Sequence, residues 1–107
     1  MKRALPWVLA LGLGRICSAQ DKPDPDKGNE VFDEQCARCH NSATDERKAG
    51  PSLRFLFAKE KLESNAKPVN DASVREKIDR GGNGMPAFKD TLAADDKTNL
   101  IAYLKTL

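Results

Sequence analysis

Aromatic residues are scarce: one Trp, one Tyr and four Phe, 6% of the chain. So little ring surface leaves a domain of this size short of core material, and something other than side chains is expected to fill its middle. Histidine occurs once, at position 40, which excludes a site built from paired imidazoles. No apolar run reaches the roughly 20 residues of a membrane-spanning helix. Neither sign of charge dominates. The formal charge is +2, and three of the eighteen basic side chains, Lys2, Arg3 and Arg15, sit in the first fifteen residues. Beyond them, fifteen basic side chains face sixteen acidic ones. That balance speaks against nucleic-acid binding, which rests on a basic surface. With 39% hydrophobic and 32% charged residues the composition is globular, neither fibrous nor disordered. The 107 residues make one domain.

Residues 1–19 read as a secretory signal peptide. Lys2 and Arg3 form the positive start, Ala4–Leu13 the apolar stretch, and Cys17-Ser18-Ala19 the small residues before a cut. An uncleaved membrane anchor is the competing reading. It is weakened by the shortness of the stretch, by Pro6 within it and by Arg15 after it. A lipoprotein site at Cys17 would need a Leu-small-small approach, and Gly14-Arg15-Ile16 stands there. Cleavage after Ala19 would deliver a chain starting at Gln20 to a bacterial periplasm, with no stable membrane insertion. The mature chain would keep Cys36, Cys39, His40 and Met85 as its only soft or imidazole ligands.

Residues 20–27 are polar, with Pro23 and Pro25, and are expected to form a flexible lead-in. A helix is expected to start at Asp24 or Asp26, with Gly28, Phe32 and Cys36 four apart on one face. Leu53–Leu62 reads as a short helix or a tight apolar loop. Asp71 or Ser73 is expected to cap a helix through Val74 and Ile78, ended by Gly81-Gly82. A Gly- and Pro-containing loop over 83–90 holds Met85. The last helix carries Leu100, Tyr103, Leu104 and Leu107 as an apolar stripe. No segment alternates at period two. The expected class is all-α, with three to four short helices and loops over 28–107.

Cys36-Ala37-Arg38-Cys39-His40 is a C-x-x-C-H sequence, the pattern of covalent c-type haem attachment. On a helical turn, positions i, i+3 and i+4 face one side. Two thiols can then bond the two vinyl groups of one porphyrin while the imidazole reaches its iron. Three other readings compete less well. A thioredoxin-like pair belongs after a strand in a βαβ setting and has no use for His40. A Cys36–Cys39 disulfide would close a very short loop. Zinc wants four protein ligands, and the mature chain offers three candidates.

Lone methionines are usually core filler. Met85 instead sits in a loop, Gly82-Asn83-Gly84-Met85-Pro86-Ala87-Phe88. Glycines before it permit close backbone approach to a flat ligand, and Pro86 stiffens the far side. With no second histidine, Met85 is the soft side chain left to oppose His40.

In these elements the sequence resembles the class I c-type cytochromes, small monohaem proteins. Gly28-x-x-x-Phe32 matches the family's first helix. Cys36-x-x-Cys39-His40 matches its haem attachment, Gly50-Pro51-x-Leu53 its histidine-side loop, Met85-Pro86 its methionine loop, and Leu100-x-x-Tyr103 its last helix. Five elements in the family's order are far more specific than C-x-x-C-H alone. One departure is Ala93 at the start of the last helix, where the family often has Ser or Thr. The resemblance implies a cytochrome c fold wrapped around one haem c per chain. It implies thioethers at Cys36 and Cys39, axial iron ligands at His40 and Met85, and a Pro51 carbonyl that accepts a hydrogen bond from His40. It also implies an electron-transfer protein, not an enzyme, cycling Fe(III) and Fe(II) between redox partner proteins, and a monomer is expected.

The alternatives are a haem-carrying subunit of a larger oxidoreductase complex, a haem enzyme or gas sensor with a labile Met85, and a thiol–disulfide oxidoreductase. Lys48, Lys59, Lys61, Lys67, Lys89 and Lys97 are candidates for a basic rim that steers acidic partners. An ordinary solvated surface accounts for them equally well.

Overall fold

The computed structural model describes residues 22–107. The signal peptide expected over 1–19 lies outside the described residues, as do the first two positions of the lead-in. Three α-helices follow: α1 (Pro25–Gln35), α2 (Asp71–Arg80) and α3 (Ala94–Leu104). A 3₁₀ turn at Leu56–Ala58 interrupts the long connection from α1 to α2. Among the described residues there is no strand, only two isolated bridges, Lys61 with Pro68 and Gly82 with Met85.

Each helix start has a local cause. The Asp24 carboxylate accepts from the amides of Asp26 and Lys27 at 2.9 and 3.3 Å, and Pro25 supplies a preset φ. Helix α1 therefore begins inside the expected lead-in, and residues 25–27 are its first turn. The cap of α2 is Asn70, not Asp71 or Ser73. Its side chain accepts from the Ser73 amide at 2.8 Å while the Ser73 hydroxyl accepts from the Asn70 amide at 3.0 Å. Ser73 is thus the reciprocal partner of a capping box. Ala93 gives α3 no side-chain cap, and the Asp96 carboxylate alone reaches back, at 3.2 Å, to the Ala93 amide.

Helices α1 and α3 cross at Gly28. A methyl group there would land on the Asn99 carbonyl and 2.8 Å from Tyr103 Cβ, so only glycine lets the two backbones meet. Phe32 and Tyr103 pack beside the crossing with ring centroids 5.5 Å apart. The Asp24 amide donates to Asn99 Oδ1 at 2.8 Å and ties the start of α1 to α3. The core gathers Phe32, Leu100, Ile101 and Leu104 at this crossing with Leu56, Leu62, Val74, Ile78, Phe88 and Leu92. Partly buried Val31, Cys36, Leu53, Phe57, Met85, Tyr103 and Leu107 pack against them. Among the described residues no helix is long and apolar enough to cross a membrane.

Candidate cofactor-binding site

The end of α1 winds directly into the C-x-x-C-H turn. The Cys36 amide donates to Phe32 O at 2.8 Å, continuing the helical pattern. The amides of Cys39 and His40 both donate to Cys36 O at 3.0 Å. One carbonyl thereby gathers three reactive side chains onto one turn. Both thiols are free and half-buried. Burial, with the neighbouring Cys39 adding to it, pushes the Cys36 thiol up to about 11.

The loop over 48–53 is laced onto this turn. The Gly50 amide donates to Cys39 O and the Leu53 amide to Asn41 O, each at 2.8 Å. The Lys48 ammonium donates to Ala37 O at 2.8 Å. Helix α1 has no basic residue in its last turn, so Lys48 supplies the positive charge its carbonyl end favours. His40 Nδ1 lies 2.7 Å from the Pro51 carbonyl oxygen. A carbonyl can only accept, so Nδ1 carries the proton and the lone pair of Nε2 is left for another partner. A Cβ on Gly50 would come 2.5 Å from His40 Cε1, so the ring takes the space a side chain would need.

Met85 follows a tight turn. The Met85 amide donates to Gly82 O at 3.1 Å and the Gly82 amide to Met85 O at 2.9 Å. Between them Asn83 and Gly84 both have positive φ, 57° and 90°. This is the backbone of a type I′ turn, for which Asn-Gly is the preferred pair. A Cβ on Gly84 would meet no protein atom within 4 Å, and its φ alone calls for glycine. At Gly81 the protein itself closes in: a Cβ would strike Met85 O and stand 2.5 Å from Pro86 O. Lys77 Nζ donates to the carbonyls of Gly81 and Gly82 at 3.1 and 3.3 Å and steadies the start of the loop.

Cys36 and Met85 pack against the same apolar core from different loops. Of the six lysines proposed for a rim, Lys97 is withdrawn from the surface and two others are engaged. Lys97 is buried against Asp79 at 2.6 Å, Lys67 pairs with Glu76 at 2.6 Å, and Lys48 is bonded to Ala37. Two open hollows are present among the described residues, the first of them beside Pro51. One is polar and bounded by Asp45, Arg47, Pro51 and Glu63, and the other lies between Asp71, Arg75, Thr98 and Lys105. Sequence reasoning missed Lys77, Asp79 and Lys97 as supports of the methionine loop.

Residues 23–104 match the family model described as cytochrome c oxidase, cbb3-type, subunit III. Cytochrome c6 of Synechocystis sp. is 31% identical over 105 residues, covering 94% of this chain and 81% of that protein. The cytochrome c subunit of the cytochrome bc1 complex of Corynebacterium diphtheriae is 30% identical over 92 residues. The match covers 80% of this chain and 28% of that longer protein. Among solved structures, cytochrome c6 of the diatom Phaeodactylum tricornutum superposes with a TM-score of 0.62 at 27% identity, covering 78% of this chain and 92% of that one. The donor set suits a haem c: two unlinked thiols and an imidazole share one turn, and that imidazole has its Nδ1 proton engaged and its Nε2 free.

Proposed function

The chain belongs to the class I c-type cytochromes, electron carriers built on a covalently bound haem c, and from that premise we propose that it is an exported, periplasmic one-electron carrier. In this reading Cys36 and Cys39 would hold the haem through thioethers, and His40 and Met85 would be its iron ligands. The observation that carries it is the 2.7 Å contact of His40 Nδ1 with Pro51 O. That hydrogen bond selects the tautomer with Nε2 unprotonated, and it makes the ring a better electron donor to a metal.

Bound there, the haem supplies an Fe(III)/Fe(II) couple whose potential a His/Met ligand pair raises. The chain's own residues do the rest. The Cys36 and Cys39 thiols fix the group to the end of α1. Gly50 leaves room for the His40 ring, and Pro51 holds its orientation. The Gly82–Met85 turn presents the thioether sulfur from a backbone that cannot easily rotate. Phe32, Leu100 and Leu104 keep water from the interior. With His40 and Met85 both engaged as ligands, the group would supply electron exchange with transient partner proteins.

The test is the intact mass of the exported protein after acid–acetone extraction. The expected mass is that of a chain beginning at Gln20 plus one haem. A colourless chain with two titratable thiols, from a host able to attach haem, would return Cys36 and Cys39 to thiol chemistry. The bc1-complex relative favours a second reading, a haem subunit of a larger oxidoreductase complex. Gentle purification from the native membrane and periplasm separates the two: the carrier elutes alone, the subunit with a stable partner.

A further inference from the structure

Lys97 is the most deeply buried charge among the described residues. It is 8% exposed, and its ammonium stands 2.6 Å from Asp79 Oδ1. That oxygen is itself fully buried with no directed hydrogen bond, so the Lys97 charge stands directly against it, while the Asp79 side chain as a whole stays 26% exposed. The same ammonium donates to the carbonyl of Lys89 at 3.0 Å. The Lys89 amide in turn donates to the carbonyl of Asp79 at 3.2 Å, and the Phe88 amide to Ile78 O at 2.9 Å. A closed ring results. It runs from the Asp79 backbone to the Lys89 backbone, on to the Lys97 side chain and back to the Asp79 carboxylate. It joins α2, α3 and the far end of the loop that carries Met85.

A buried ion pair is a poor device for stability, because desolvation cancels most of its attraction. Its best-attested use is to fix register. In the alignment present, Phe88 and Lys89 run along the last turn of α2 with Lys97 bonded to both the Asp79 carboxylate and the Lys89 carbonyl. Three residues, Pro86, Ala87 and Phe88, separate Met85 from that anchor, and Pro86 stiffens the path. At the other end Lys77 holds Gly81 and Gly82.

We propose that Lys97 and Asp79 are positioning residues for Met85: their buried pair sets the register of the loop's far end and so keeps the sulfur from leaving its place. The proposal rests on the reading of Met85 as an axial ligand. Loss of the pair leaves the helices assembled and lets the loop detach more often. A small ligand that competes with Met85 then binds more tightly, since its apparent affinity scales with the detached fraction.

The experiment uses the oxidised holoprotein and titrates imidazole against the wild type, Lys97→Met, Asp79→Asn and the apolar pair Asp79→Leu/Lys97→Met. Far-UV circular dichroism in denaturant follows the helices of each. The pair variant guards against a single variant that fails to fold, because it leaves no buried charge alone. The expected result is imidazole binding at least about tenfold tighter in the variants, with the helical midpoint of the pair variant close to wild type. Unchanged imidazole affinity in the folded variants overturns the proposal. So does a shift that only mirrors the loss of helical stability. A wild type with no methionine to displace, seen as imidazole binding with no competing internal ligand, would instead overturn the assignment of Met85, and the proposal with it.

Discussion

Gly28 on α1 faces the carbonyl of Asn99 on α3 with no room for a methyl group between them. The crossing that positions the C-x-x-C-H turn depends on this one absent side chain. Gly28→Ala would force the helices apart, an overpacking cost of about 1–3 kcal/mol. The melting temperature of the holoprotein should fall by roughly 10 °C. A variant as stable as wild type would show that the crossing does not set the approach of the two helices.

Gly50 should matter through His40. A Cβ there would stand 3.0 Å from His40 Nδ1 and displace the ring from Pro51. A weaker hydrogen bond makes the imidazole a poorer donor to the metal, which disfavours Fe(III). Gly50→Ala is therefore expected to raise the reduction potential, as read by a spectroelectrochemical titration. A lowered potential would contradict the role given to Pro51.

The two glycines flanking the methionine turn should differ in cost. Gly84 has φ 90° and no protein atom where a Cβ would stand, so against the chain itself Gly84→Ala meets backbone strain, about 1–2 kcal/mol. Gly81 has φ 66° and also sits against the carbonyls of Met85 and Pro86. Gly81→Ala adds overpacking to strain and should cost roughly 3 kcal/mol or more. Denaturant midpoints of the two variants give the order directly.

Glu76 accepts a hydrogen bond from Lys67 at 2.6 Å, and this bond, with the Lys67 charge, holds its carboxyl below the ordinary 4.5. An unfolded chain binds that proton more readily. The contribution is present above the ordinary carboxylate range and is lost as the pH falls toward the lowered value. Glu76→Gln should therefore differ from wild type modestly at pH 7 and less still in acid. Denaturation curves at the two pH values test this, and a gap that widens in acid would reverse the sign.

Much of this fold was legible because its motifs are local. Cys36, Cys39 and His40 announce one turn, and the spacing of Gly28 and Phe32 announces the face that meets α3. The Gly50-Pro51 pair marked the loop that crosses His40. The misplaced features depend on contacts between distant residues or on backbone angles. Asn70 is extended, with φ −156°, and takes the cap from two equally good neighbours, which no composition rule decides. Lys97 looks like any surface lysine until α3 lays it against Asp79, eighteen positions earlier. The glycines around Met85 are interchangeable in sequence. Their φ angles and neighbours separate the one that turns the chain from the one that lets it pass.

The most direct test of the central claim is the visible spectrum of the oxidised protein and of Met85→Ala, each checked for carbon monoxide binding when reduced. The account predicts a low-spin wild type with a weak far-red methionine–iron band and no carbon monoxide adduct. Met85→Ala should lose that band, bind carbon monoxide and keep its haem through acid–acetone extraction, because Cys36 and Cys39 still hold it. A band that survives in Met85→Ala would contradict the account, as would a high-spin wild type that binds carbon monoxide.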